Sequence, residues 1–179
     1  MKLFIHFSVV AFSLLFSISI YAIDENQKLL ITHTYNQGGF SFQTPIGWSK
    51  NYVLTNMMGA QYPIVTGNSP NNASANIMVE DELFYGDLTS YANMGISNAK
   101  SAVPNLKIIS RKKFITISGL QGIQLQAENT MQFKKIRQDQ YYFSGKNNKK
   151  FVVTCTHSLS ANDSMSALYQ KIMKTFKLH

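Results

Sequence analysis

A single cysteine, Cys155, stands in the 179 residues, so no internal disulfide can form and the chain has to fold on its apolar core. Acidic residues are also scarce, nine against seventeen lysines and arginines. There is no Gly-x-Ser-x-Gly, no phosphate-binding glycine loop and no dinucleotide fingerprint. His33, His157 and His179 show neither i, i+4 pairing nor His-Glu-x-x-His spacing, so a zinc site has no support and no cofactor is expected. An enzyme built from this chain would need catalytic groups assembled by the fold alone. Neither a repeat nor a Pro/Gly-rich linker divides the sequence.

What is present begins at the N-terminus. Met1-Lys2 supplies one positive charge, residues Leu3 to Phe16 carry none, and Ser17-Ile18-Ser19-Ile20-Tyr21-Ala22 ends on a small residue. A basic start, a short apolar centre and a small terminal residue are the three parts of a secretory signal peptide, cleaved after Ala22. The apolar run is near the lower limit for crossing a bilayer, and no basic stop-transfer cluster follows it. Residues 1–22 are therefore read as a signal peptide and 23–179 as one domain, exported to the periplasm or the extracellular space, with no transmembrane segment after cleavage. A domain of that size buries about 70% of its unfolded surface and needs no metal to fold.

Charge is unevenly placed. Between Ile23 and Ala99, Lys28 and Lys50 face Asp24, Glu25, Glu80, Asp81, Glu82 and Asp87, a net −4. From Lys100 onward fourteen basic residues face Glu128, Asp139 and Asp163, a net +11. A basic half attracts polyanions. For an exported protein these are envelope lipids, acidic glycans or an acidic protein rather than nucleic acid.

Ile23 to Asn36 reads as an irregular lead-in. Gly39 to Pro45 alternates as a half-buried strand does, and Ile46-Gly47-Trp48 is a turn. Gln61 to Thr66 and Ala75 to Val79 are further strands, separated by the polar loop Gly67 to Ser74. Leu88, Tyr91, Ala92, Gly95, Ile96 and Ala99 fall on one helical face between Asp87, a suitable N-cap, and Pro104. Leu106 to Ile117 is a β-branched strand, and Ser118 to Gly122 is a turn. Ile123, Leu125 and Ala127 then alternate with Gln124, Gln126 and Glu128, giving one dry and one wet face. Thr130 to Phe143 and Lys149 to His157 flank a turn at Ser144 to Asn148. Ser160 and Asp163 form a capping pattern, after which Met165, Leu168, Tyr169, Ile172 and Phe176 line one face of a last helix. The fold class is α+β, an antiparallel sheet with helices covering it.

Phe40-Ser41-Phe42-Gln43-Thr44-Pro45 followed by Gly47-Trp48, the mid-chain helix, and Phe151-Val152-Val153-Thr154-Cys155-Thr156 running into Tyr169, Ile172 and Phe176 carry a resemblance. The chain resembles the PsbP-like superfamily, which includes the DcrB-like envelope proteins and a eukaryotic Ran-GTPase release factor. The resemblance implies an antiparallel sheet sandwiched between helices, an α/β/α sandwich, and a binding or accessory role without common catalysis. The lipid-bearing cysteine of DcrB-like proteins is missing here, and no metal or chloride site carries over.

Candidate chemistry is sparse. Cys155 and His157 lie two apart on a strand, so both face one way and could form a nucleophile and its base. Phe151 and Val153 share that parity, which makes Cys155 a core residue and His157 the polar end of the strand. Glu80-Asp81-Glu82 lacks the spaced oxygens and glycine of a calcium loop and reads as solvated strand-end charge. Arg111 and Lys113, Lys135 and Arg137, and Lys149 and Lys150 would form one cationic strip if they share a face, with Tyr141 and Tyr142 as aromatic contacts for a glycan or lipid head group. Otherwise these lysines keep the wet side and edges of the sheet soluble. The expected function is that of an exported, monomeric, non-enzymatic accessory module that docks another protein. The rivals are a secreted host-directed factor, a binder of anionic lipid or glycan, and a small Cys155–His157 hydrolase.

Overall fold

A computed structural model describes residues 29–35, 38–55, 60–68, 74–131, 134–159 and 162–179. Residues 1–22, read from the sequence as a signal peptide, and Ser160 of the capping pattern lie outside them. The elements are β1 (Leu29–Tyr35), β2 (Phe40–Pro45), β3 (Ser49–Thr55), β4 (Ala60–Asn68), β5 (Ser74–Leu83), α1 (Leu88–Ala102), β6 (Lys107–Ile115), β7 (Gln121–Met131), β8 (Lys134–Ser144), β9 (Lys149–Ser158), α2 (Asn162–Lys174) and β10 (Lys177–Leu178). Seven strands form one sheet in the order β3-β4-β5-β9-β8-β7-β6, and β1-β2-β10 form a second. Every pairing is antiparallel. The α+β class read from the sequence is the class observed.

Alternation along the central strands sends side chains to two cores. Ile77 and Val79 of β5, Phe151, Val153 and Cys155 of β9, and Tyr141 and Phe143 of β8 join Met165, Tyr169, Ile172 and Phe176 of the α2 segment, together with Phe40 and Phe42 of β2. Phe176, just past the end of α2, stacks on Phe143 of one sheet at 4.8 Å and on Phe40 of the other at 5.6 Å, tying the two together. Burial of one such ring contributes about 2–3 kcal/mol. Tyr142, Val152 and Leu125, of the other parity, pack against Tyr91 and Ala92 of α1. α1 starts where Asp87 Oδ1 accepts the Ser90 N–H at 2.6 Å, and Gly95 sits where a Cβ would lie 2.9 Å from the Tyr142 hydroxyl.

Three expectations need correction. The lead-in is not irregular, because Leu29–Tyr35 is a strand paired with β2 from Leu29↔Pro45 to Tyr35↔Phe40. Its inward positions include His33, whose Nε2 lies 2.7 Å from Thr44 Oγ1, so a polar residue interrupts the apolar period. A strand at Ser49–Thr55 was also unforeseen, and it runs along the sheet edge beside β4. Finally, the face of β7 bearing Gln124, Gln126 and Glu128 is not wet. Gln124 is 2% exposed, because β7 has strands on both sides and packing on both faces.

Candidate functional site

The Cys155–His157 pair points, as the spacing requires, to one side of β9, and that side is the α2 core. Both residues are buried, including His157, which is no exposed strand end. Asp139 lies directly across from Cys155 in the β8–β9 register, and burial together with that carboxylate pushes the Cys155 thiol well above its usual pKa. A thiol held protonated is a poor nucleophile.

A second feature of this region escaped the sequence reading. Asp139, 0% exposed, accepts the Ser166 hydroxyl at 2.7 Å on Oδ2 and the Gln126 amide at 2.8 Å on Oδ1. Gln124 Nε2 lies 3.4 Å from the same Oδ1 and donates to the Tyr141 hydroxyl at 3.0 Å. His157 Nε2 stands 3.4 Å from Ser166 Oγ and 4.0 Å from Asp139 Oδ2, while its Nδ1 meets the Ser158 carbonyl at 2.9 Å. Serine, histidine and aspartate are thus adjacent. Yet the serine gives its proton to the aspartate rather than to the imidazole, the reverse of a nucleophilic triad. The cluster is buried and its donors find acceptors inside it, while Gln124 Oε1 is left without a hydrogen-bond partner. The sequence signal was Asp139 itself, the one acid in phase with Tyr141 and Phe143.

The acidic run splits by strand alternation. Asp81 shares the parity of Val79 and pairs with Lys149 at 2.5 Å, whereas Glu80 and Glu82 face the α1 side. Burial first, and Glu82 second, push the Glu80 carboxyl up to about 7. Among the described residues no group of three potential ligands could hold a metal ion.

The six basic residues do not form one strip. Arg111 and Lys113 sit across from Leu125 and Ile123, on the α1 face, and the Arg111 guanidinium donates to Asn93 Oδ1 at 2.6 Å. Lys150 shares that face but is 5% exposed, its ammonium donating to the Phe84 carbonyl at 3.1 Å. Lys135 and Arg137 share the parity of Asp139 and Tyr141, on the opposite face, and Arg137 pairs with Glu128 at 2.6 Å. Tyr141 and Tyr142 are buried on opposite faces and present no ring to solvent.

Among the described residues an open groove of about 580 Å³ lies between the first turn of α1 and the β6–β7 hairpin. Leu88 and Thr89 form one wall, and Arg111, Lys113, Ile115 and Ile123 the other wall and floor. β6 is the end strand of the sheet. Its far end is closed by α2, where the Ile117 N–H donates to the Lys174 carbonyl and the Lys174 ammonium to the Ile115 carbonyl. The sequence marked the cations of this groove but not its apolar partners Leu88 and Ile115, which come from separate elements.

No protein-family model and no curated protein matches the chain. Solved structures do. The yeast (Saccharomyces cerevisiae) Ran-binding protein Mog1p aligns with a TM-score of 0.59 at 7% identity, over 86% of this chain and 96% of Mog1p. LpqN of Mycobacterium tuberculosis, involved in cell envelope biogenesis, aligns with a TM-score of 0.55 at 12% identity, over 78% and 82%. PA94 of Pseudomonas aeruginosa, a protein of unknown function, aligns with a TM-score of 0.53 at 13% identity, over 83% and 96%.

Proposed function

We propose, from the premise that the chain has the PsbP-like and DcrB-like fold shared with Mog1p, that it is an exported accessory module that binds a partner protein and performs no chemistry of its own. The observation that carries this reading is the contrast between the two candidate regions. Among the described residues the nucleophiles beside an imidazole, Cys155 and Ser166 at His157, Thr44 at His33 and Ser41 at His179, are all buried, while the groove beside α1 offers cations and apolar side chains with no imidazole or carboxylate to serve as base. The finer reading of the fold, one sheet sandwiched between α1 and α2, suits such a module, because it leaves sheet edges and helix ends for docking. Export rests on the charge and hydropathy of residues 1–22 and accords with the envelope role of LpqN. Binding of lipid or glycan along a basic strip is less favoured, since the strip divides between two faces.

Two measurements on purified residues 23–179 test the reading. Native Cys155 is expected to resist iodoacetamide at neutral pH and to react once the chain is unfolded in urea. A panel of ester, thioester and peptide substrates is expected to show no turnover above that of Cys155→Ala and Ser166→Ala. Turnover that either substitution abolishes overturns the proposal, and so does recovery of the protein from cytosol with Met1 intact.

A further inference from the structure

The cations of the groove are unusual in what surrounds them. Among the described residues no carboxylate pairs with Arg111, Lys112 or Lys113, whereas Arg137 and Lys149 are both neutralised. Lysines on an edge strand ordinarily keep it from pairing with other chains. Such a protective edge has no use for large apolar side chains beside the charges. Here Ile109, Ile115 and Ile117 are 40%, 52% and 77% exposed along the same segment. The bulge between Ile108 and Ser110 and the α2 cap on Ile115 and Ile117 already break the strand's hydrogen-bonding edge at both ends. Charges and isoleucines together read as a recognition surface.

Spacing says what would fit. Arg111, Lys113 and Ile115 follow one another on the α1 side of β6, and alternate residues of a strand lie about 7 Å apart. An extended segment laid beside β6 repeats its own same-face side chains at that interval. We propose that the groove between α1 and β6 is the docking site for an extended acidic segment of a partner protein, with two acidic side chains at alternate positions meeting Arg111 and Lys113 and an apolar residue at the next meeting Ile115 and Leu88. Arg111 is pre-positioned by Asn93 and keeps further N–H donors for a carboxylate. The groove is concave and of ligand-cleft size, which favours an inserted segment over a flat membrane. This assignment rests on the binding role proposed above.

The probe is a fluorescein-labelled peptide with the order Glu-Ser-Glu-Ser-Leu, compared with Lys-Ser-Lys-Ser-Leu, Glu-Ser-Glu-Ser-Ser and phosphatidylglycerol vesicles. Saturable anisotropy is expected with the first alone, weakening steeply with added salt. The Arg111→Glu/Lys113→Glu variant should weaken it about tenfold or more. Lys134→Glu/Lys135→Glu, exposed and paired with the opposite end of β7 from the groove, should leave it unchanged. Hydrogen exchange on the wild-type protein should slow in β6 and the first turn of α1 on adding peptide, a readout that does not depend on any variant folding. Equal binding of the acidic and basic peptides, indifference to the Arg111/Lys113 reversal, or vesicle binding without peptide binding each overturns the assignment. If those outcomes occur while the protein shows no turnover, the groove fails and the accessory role stands. If turnover appears, the role fails whatever the peptide does.

Discussion

At Asp139 a carboxyl group is held out of water among groups drawn from three elements: Gln124 and Gln126 of β7, Ser166 of α2 and, beyond hydrogen-bond reach, His157 of β9. Removing the carboxylate strands those donors in a dry interior. Asp139→Ala should therefore cost about 3–5 kcal/mol, read as a lowered urea midpoint. Glu80 behaves differently, since it is half-buried and stands beside Glu82 rather than a cation. Its folded-state pKa of about 7 lies above the ordinary 4.5, so the folded chain binds the proton more tightly than the unfolded one. The stability tied to that proton is complete below about pH 4.5 and is lost as pH rises through 7. Glu80→Gln should flatten the slope of stability between pH 5 and 8 and gain on the order of 1–2 kcal/mol at pH 8, after discounting for solvent access. Thermal melts across that range measure both effects. Cys155 was legible as a core residue because Phe151 and Val153 share its parity. Ser166 was not, because a serine on the inward face of α2 has no apolar period to announce it and gains its place only from Asp139, twenty-seven residues earlier.

The helices were readable from spacing alone. Tyr91, Ala92 and Gly95 are the buried residues of α1, all three among those the period picked out, and Met165, Leu168, Tyr169, Ile172 and Phe176 are all buried beneath α2. Gly95 shows what spacing does not contain. Alanine there would raise helix propensity by about 1 kcal/mol. Its methyl group would meet the Tyr142 hydroxyl, which is itself held by Gln140 Oε1 at 2.6 Å. Gly95→Ala should therefore destabilise, by about 1–2 kcal/mol net, and most of the loss should be recovered in Gly95→Ala/Tyr142→Phe. A double-mutant cycle by chemical denaturation decides it. The strands were harder. β1 carries His33 at an inward position, where burial and the nearby Lys50 ammonium lower the imidazole pKa and favour the neutral ring that bonds Thr44. The reverse turn after β8 was plain because Asn147 and Asn148 both take φ near +55°, at 54° and 58°, where asparagine is tolerated. The strip of six basic residues failed because strand parity divides it between two faces and because Lys150 is buried against Phe84, neither of which a count of charges reveals.

Across the whole molecule, the acidic first half and the basic second half meet where β5 lies beside β9, with Glu82 across from Lys150 and Asp81 bonded to Lys149. The chain's last residues are stitched in as well. The His179 N–H donates to the Gly39 carbonyl at 2.8 Å and its Nε2 lies 3.0 Å from Ser41 Oγ, beside the β10–β2 pairing. Deleting residues 177–179 should lower Tm by roughly 3–6 °C and speed hydrogen exchange in β2 first. The strand order carries one more consequence. β9 is the bridge between β3-β4-β5 and β8-β7-β6, yet it follows all six of those strands along the chain and is synthesised after them. Until it arrives, the early meander is stranded with an open flank and no lid of α2 above it. Residues 23–148 made alone should accordingly aggregate, and full-length refolding from urea should be slow, on the scale of milliseconds to seconds typical of far-apart strand pairings. A cell that makes this protein amino-end first would have to shelter its front half until the keystone has been made.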